Sequence, residues 1–181
     1  MRKVRLLVFV IVAVFAIVST AVAANRNFGT HLSGDEEVPP RDTLAQGQAI
    51  FQLSKDGSEL HYKLIVANIE NVFQAHIHKG ARGISGPVAV WLFPSTMPGA
   101  GPTGGGRING VIAEGTITTA DLVNQVLTGI TTLEQLIAAI ESGNAYVNAH
   151  TNDGVAPANT GPGDFPGGEV RGQLGDHGQS K

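Results

Sequence analysis

Residues 48–66 read Gln48-Ala49-Ile50-Phe51-Gln52-Leu53, then Ser54-Lys55-Asp56-Gly57-Ser58, then Glu59-Leu60-His61-Tyr62-Lys63-Leu64-Ile65-Val66, and they decide the fold class. Ala49, Phe51 and Leu53 fall on one face of an extended chain, with Gln48 and Gln52 on the other. Leu60, Tyr62, Leu64 and Val66 repeat the pattern, with His61 and Lys63 opposite. A period of two is the repeat of a strand, whose side chains point alternately to the two faces of a sheet. Asp56-Gly57 sits between the two runs, and glycine tolerates the positive φ of a tight hairpin turn. The stretch therefore reads as a β-hairpin with one apolar face.

Outward from the hairpin, Val72 to His78, Pro87 to Phe93, Val111 to Ile117, Ala145 to His150 and Glu169 to Leu174 also read as strands. Seven short strands separated by turns predict a mainly β chain, an antiparallel β-sandwich of Greek-key type. Two segments before the last strands switch to helical spacing. Asp121 to Leu127 is one; the other places Leu133, Leu136, Ile137 and Ile140 on one stripe, with Thr131 and Glu134 as a capping box and Gly143 at the C-terminal end. A short helical pair is therefore expected to cover one end of the core. Pro94 to Gly110 and Asn152 to Gly168 are too rich in Gly and Pro for an element and read as long surface loops.

Ahead of all this, Arg2, Lys3 and Arg5 precede an uncharged apolar run from Leu6 to Val18, and Ala21-Val22-Ala23 supplies small residues at the spacing of a cleavage site. Residues 1–24 read as a secretory signal peptide. Kept uncleaved, the run would reach the roughly 17 to 25 residues of a membrane anchor, the one membrane association the chain suggests. Residues 25–175 then form a single β domain, with 176–181 as a disordered tail. The chain carries no cysteine, which excludes a disulfide framework and a lipoprotein anchor. Its net charge of -3 becomes about −6 once the three leader cations are removed, a poor balance for binding nucleic acid. The expected location is secreted, periplasmic or extracellular.

The most pointed chemical feature is His76-Ile77-His78. Residues two apart in a strand share a face about 6.6–6.8 Å apart, so both imidazoles reach one ion. His150 ends another strand, on the face it shares with Tyr146 and Asn148. If the two strands are neighbours, His76, His78 and His150 converge as three nitrogen ligands suited to copper or zinc. Nitrogens about 3 to 4.5 Å from one another would fit a shared ion. The competing reading has each histidine satisfying local backbone groups. His31, His61 and His177 read as surface or tail residues.

Glu169 and Arg171 form a second constellation with Glu37. An arginine fork holds a carboxylate by two parallel bonds, so Arg171 is expected to clamp Glu36 or Glu37, or the surroundings of Glu169, in a structural or ligand-holding role. Asp35-Glu36-Glu37 lacks the alternation of a calcium loop and reads as a solvated turn ending at Pro39-Pro40. No catalytic residue is assigned: the chain has no thiol, Gly-x-Ser-x-Gly elbow or His-Glu-x-x-His motif, and Gly104-Gly105-Gly106 is followed by Arg107 rather than a phosphate-loop lysine.

Four segments taken in order resemble the CHRD domain, named for chordin. They are Leu32-Ser33-Gly34 with Glu37-Val38-Pro39-Pro40; Gln74 to Gly80 with Gly86-Pro87-Val88; Gly143 to Thr151; and Gly168 to Gln173. The resemblance spans about residues 30–174 and is to the single-domain microbial type. It implies an extracellular module, without the cysteine-rich modules that accompany such domains in chordin, an antagonist of bone morphogenetic proteins. The His-x-His strand and the late strand are also similar in style to Cu/Zn superoxide dismutase, though the full ligand set and disulfide of that enzyme are missing. The sandwich is accordingly expected to be immunoglobulin-like or superoxide-dismutase-like. Three functional readings follow. One is a non-enzymatic module binding an extracellular protein or cell-surface polymer; another is a copper or zinc protein, carrier or redox; the last is a structural component of an envelope or matrix.

Overall fold

The computed structural model describes residues 26–94 and 105–175. The expected leader, the tail from Asp176 and most of the loop read at 94–110 lie outside the described residues. No described helix is long and apolar enough to cross a membrane. The chain is mainly antiparallel β, with eight strands among the described residues: β1 Asn27–Ser33, β2 Gln46–Leu53, β3 Leu60–Ile69, β4 Val72–Lys79, β5 Val88–Phe93, β6 Ile108–Ile117, β7 Ala145–Thr151 and β8 Val170–Gln173. All eight belong to one sheet in the order β5-β4-β7-β8-β1-β2-β3-β6. The expected sandwich thus takes the form of a single sheet rolled nearly shut.

The hairpin of β2 and β3 pairs Ala49 with Leu64, Phe51 with Tyr62 and Leu53 with Leu60, so both apolar sets face one side. At its turn Gly57 has φ +75°. There the Asp56 carboxylate accepts from the Ser54 hydroxyl and from both the backbone and the hydroxyl of Ser58, which together hold it down at about 2. Where the two ends of the sheet meet, the Tyr62 hydroxyl of β3 donates to the Leu92 carbonyl of β5 at 2.8 Å. The chain leaving β6 helps close the seam: Leu122 bridges Val90, and the Val123 amide donates to Ala89 at 2.9 Å.

That seam corrects the first helical reading. Leu122 and Val123 are committed to β5, so the expected helix over 121–127 is reduced to a 3-10 turn at Thr119–Asp121 and a single α turn, α1, at Gln125–Thr128. The second helix, α2 Leu133–Glu141, buries Leu133, Leu136, Ile137 and Ile140 as its spacing predicts. Its cap lies one residue later than the reading at Thr131 and Glu134. Thr132 accepts from the Gln135 amide, and the Gln135 side chain reaches back to Thr131.

Two more boundaries differ from the sequence reading. β1 carries only Phe28 and Leu32 as buried apolar residues and shows little alternation. β6 starts at Ile108 rather than Val111, because bulges against β3 shift its register and break the alternation by which a strand is recognised. The core enclosed by the sheet draws on every strand and on α2.

Candidate metal centre

β4 and β7 run side by side, with Gln74 opposite His150, His76 opposite Asn148 and His78 opposite Tyr146. Alternation along β4 sends Ala75 and Ile77 into the core cluster and turns His76 and His78 to the other face. Register partners continue across neighbouring strands, so Trp91 of β5, His76, Asn148 and Arg171 of β8 form one row. This face is not open to water. His76 is 2% exposed, and His78 and His150 are each 8% exposed.

The condition set by the sequence is met, because the strands of His76, His78 and His150 are neighbours. One ligand atom from each of the three lies within 4.8 Å of the others. His76 Nδ1 is 3.1 Å from His150 Nε2. The outer bound is slightly wider than expected. Donors at about 2.0–2.1 Å from a shared ion stand roughly 3.0–3.4 Å apart, so a gap at the 4.8 Å bound closes with about 1.4–1.8 Å of side-chain movement shared between two rings.

Segments following β4 and β7 fix the rings. His78 Nδ1 donates to the Gly86 carbonyl and His150 Nδ1 to the Pro166 carbonyl, each at 2.8 Å. A carbonyl only accepts, so in both neutral rings Nδ1 carries the proton and Nε2 keeps its lone pair. His76 Nε2 and His78 Nε2 are buried without a hydrogen-bond partner. The turn that brings the Gly86 carbonyl to β4 requires glycine there, since a Cβ would overlap the Lys79 carbonyl.

Each imidazole also meets an aromatic ring. Trp91 stands edge-on to His76 at 4.1 Å, Tyr146 stacks on His78 at 4.8 Å and 6°, and Phe73 meets His150 at 6.1 Å. Burial is the main force that pushes His76 down to about 2 and His150 to about 4, and it lowers His78 as well. All three rings are therefore neutral near pH 7, the state in which imidazole binds a metal.

Arg171 is 1% exposed. Its guanidinium donates to the Ile84 and Ala81 carbonyls at 3.1 and 3.0 Å, and to Gln173 Oε1 at 3.2 Å. It also lies 3.4 Å from the centroid of Tyr146, completing a pile of guanidinium, phenol and imidazole. Two of these bonds go to the turn that carries Gly86 and one to Gln173, none to Glu37 or Glu169. Glu169 instead accepts from the hydroxyls of Thr43 and Thr151 at 2.6 Å each, and from the Gly163 amide at 2.9 Å.

The acidic segment at 35–37 is not wholly solvated, because Glu37 turns inward to 6% exposure. Its Oε1 has no hydrogen-bond partner. Burial pushes its carboxyl up to about 7, against the opposing bond from the Val38 amide and the positive field of Arg171. Gly168 gives it room, since a Cβ there would overlap the carboxyl group. His31 and His61 are exposed, apart from the cluster, and His177 lies outside the described residues.

The sequence reading gave no role to Asn148, Tyr146, Trp91 or Gln173. The shared face of Tyr146, Asn148 and His150 was the available signal for two of them. The shared face of Glu169, Arg171 and Gln173 was the signal for Gln173, and Trp91 enters only through strand pairing across the sheet.

No curated protein and no solved structure matches the chain. A family model described as the CHRD domain matches residues 28–174. That match covers every described strand except the first residue of β1, and it includes the loops that close over the histidines, so this chain belongs to the CHRD family.

Proposed function

We propose that this CHRD module is exported and works by holding one first-row transition ion, copper before zinc, on His76, His78 and His150. The observation that carries the reading is the tautomer lock. Two buried imidazoles, His78 and His150, spend Nδ1 on the carbonyls of Gly86 and Pro166 and so keep the lone pair on Nε2, and a ligand atom of each lies within 4.8 Å of one on His76. A ligating histidine characteristically gives its other ring nitrogen to such an acceptor.

Three neutral nitrogens accept both Cu²⁺ and Zn²⁺, and a given site generally binds Cu²⁺ more tightly. The rings are 2–8% exposed and walled by Trp91, Tyr146 and Phe73. That enclosure suits retention of an ion better than turnover of an organic substrate. The apolar leader and its small-residue site support export.

Calorimetric titration of the chelator-stripped protein with Cu²⁺ and with Zn²⁺ tests the reading. One equivalent is expected to bind with Kd below micromolar. His78→Ala and His150→Ala are each expected to weaken binding at least 100-fold, while His31→Ala leaves it unchanged. Wild-type binding no tighter than micromolar, or binding indifferent to the buried histidines, would refute it.

A further inference from the structure

We infer, resting on the copper reading above, that the centre is built for the monovalent ion. Copper(I) binds between Nε2 of His76 and Nε2 of His78 as a near-linear pair, and His150 is the hydrogen-bond acceptor that positions His76, joining as a third ligand only for a divalent ion.

The hydrogen bonds settle which lone pairs are available. His150 Nδ1 donates to the Pro166 carbonyl, so in the neutral ring Nε2 carries no proton. The proton in the 3.1 Å contact between that nitrogen and His76 Nδ1 therefore belongs to His76, which donates it. His78 Nδ1 donates to the Gly86 carbonyl. Taken ring by ring, His150 has spent both nitrogens, while His76 and His78 have each spent one. What remains is Nε2 of His76 and Nε2 of His78, both buried and both without a hydrogen-bond partner. Unmet acceptors are rare in protein interiors, and two on adjacent rings of one strand call for a cation.

Distance favours the same pair. The rings of His76 and His78 stand 5.3 Å apart at 80°, and the three histidines offer ligand atoms within 4.8 Å of one another. An ion in line between two nitrogens, about 2.0 Å from each, holds them roughly 4 Å apart, against roughly 3.0–3.4 Å in a tetrahedral set. From the 4.8 Å bound the linear pair is the nearer arrangement, and it leaves the bond between His76 and His150 intact. A third nitrogen joins only once that bond is broken.

Charge selects the monovalent ion. Among the described residues the cluster consists of imidazoles alone, with no carboxylate in it. The buried Arg171 guanidinium adds a positive charge behind the Tyr146 ring that stacks on His78. The cost of burying an ion grows with the square of its charge, so a monovalent ion meets about a quarter of the penalty of a divalent one. Copper(I) is also satisfied by two donors, and the rings of Trp91, Tyr146 and Phe73 keep water from completing a larger shell.

The test compares copper(I) with Zn²⁺, two closed-shell ions that differ in charge and in the number of ligands they take. Affinity of the full chain is measured by competition, anaerobically against bicinchoninate for copper(I) and against a second chelator for Zn²⁺. The X-ray absorption spectrum of the copper(I) form counts the nitrogens. The wild type is expected to bind copper(I) at least 100-fold more tightly than Zn²⁺, with two nitrogens around the ion. His78→Ala is expected to lose at least 100-fold in copper(I) affinity. His150→Ala is expected to lose less than tenfold for copper(I) but at least 100-fold for Zn²⁺, a split that a general loss of structure would not give.

Three nitrogens around copper(I), Zn²⁺ bound as tightly as copper(I), or equal losses of the two ions in His150→Ala would each overturn the two-ligand centre and leave the three-histidine reading standing. If His150→Ala does not fold, as read by circular dichroism, the nitrogen count of the wild type decides. No binding of either ion by the wild type would overturn both.

Discussion

Replacing Glu37 with glutamine isolates the cost of its burial. In the folded protein the carboxyl keeps its proton up to about pH 7, whereas a free side chain has a value of 4.5. Between those values the native state holds more protons than the unfolded chain, so stability falls as pH rises. The stability tied to this proton is fully present below 4.5 and is lost as pH rises through 7. A difference of about 2.5 units at 1.36 kcal/mol each amounts to about 3 kcal/mol. Glutamine has the same shape and never ionises. In metal-free protein, Glu37→Gln should match wild type near pH 4.5 and exceed it by about 3 kcal/mol near pH 8.5. The buried histidines titrate in the opposite sense, gaining stability from about 4 upward, but their contribution cancels in the comparison of the two proteins. Urea unfolding in chelator at pH 4.5, 6.5 and 8.5 measures the difference. A gap that stays constant with pH would refute the reasoning, since a carboxyl ionised throughout this range gives no such slope.

Other expectations follow from the same geometry. Trp91 is the single tryptophan of the chain and lies 4.1 Å from His76, so one equivalent of Cu²⁺ should quench most of the intrinsic fluorescence while Zn²⁺ leaves it largely intact. His150→Ala should abolish that quenching; equal quenching in the variant would place the ion elsewhere. Leu136→Ala empties a fully buried position on α2 and should cost about 2–5 kcal/mol in urea unfolding, with a loss below 1 kcal/mol counting against the packing described. Arg171→Lys keeps the charge but loses the planar fork that spans the Ala81 and Ile84 carbonyls. It should destabilise the protein by about 1–3 kcal/mol and weaken metal affinity through Gly86; unchanged unfolding and affinity would show the fork to be dispensable.

What the sequence revealed follows the range of the interactions involved. The β2–β3 hairpin is legible because alternation and Asp56-Gly57 are local signals, and they agree with the register observed. The α2 stripe is legible for the same reason. Leu122 and Val123 mislead because their helical spacing is outweighed by bonds to β5, some thirty residues earlier in the chain. β1 escaped because two buried apolar residues separated by Gly29, Thr30 and His31 give little period to recognise.

The site divides along the same line. His76 and His78 announce themselves by spacing, but His150 joins them only through a sheet order that sets β4 beside β7, which no local pattern encodes. Arg171 shows how a sequence reading of charge goes astray. Glu36, Glu37 and Glu169 are the partners that opposite charge suggests, yet the guanidinium spends its bonds on uncharged carbonyls that any residue can supply. The consequence reaches the histidine cluster. Glu37 is left without a direct bond from the guanidinium, and burial raises its carboxyl to about 7. An arginine clamp on that carboxyl would have held it ionised instead. By holding the 81–86 turn instead, Arg171 positions the Gly86 carbonyl that fixes the tautomer of His78.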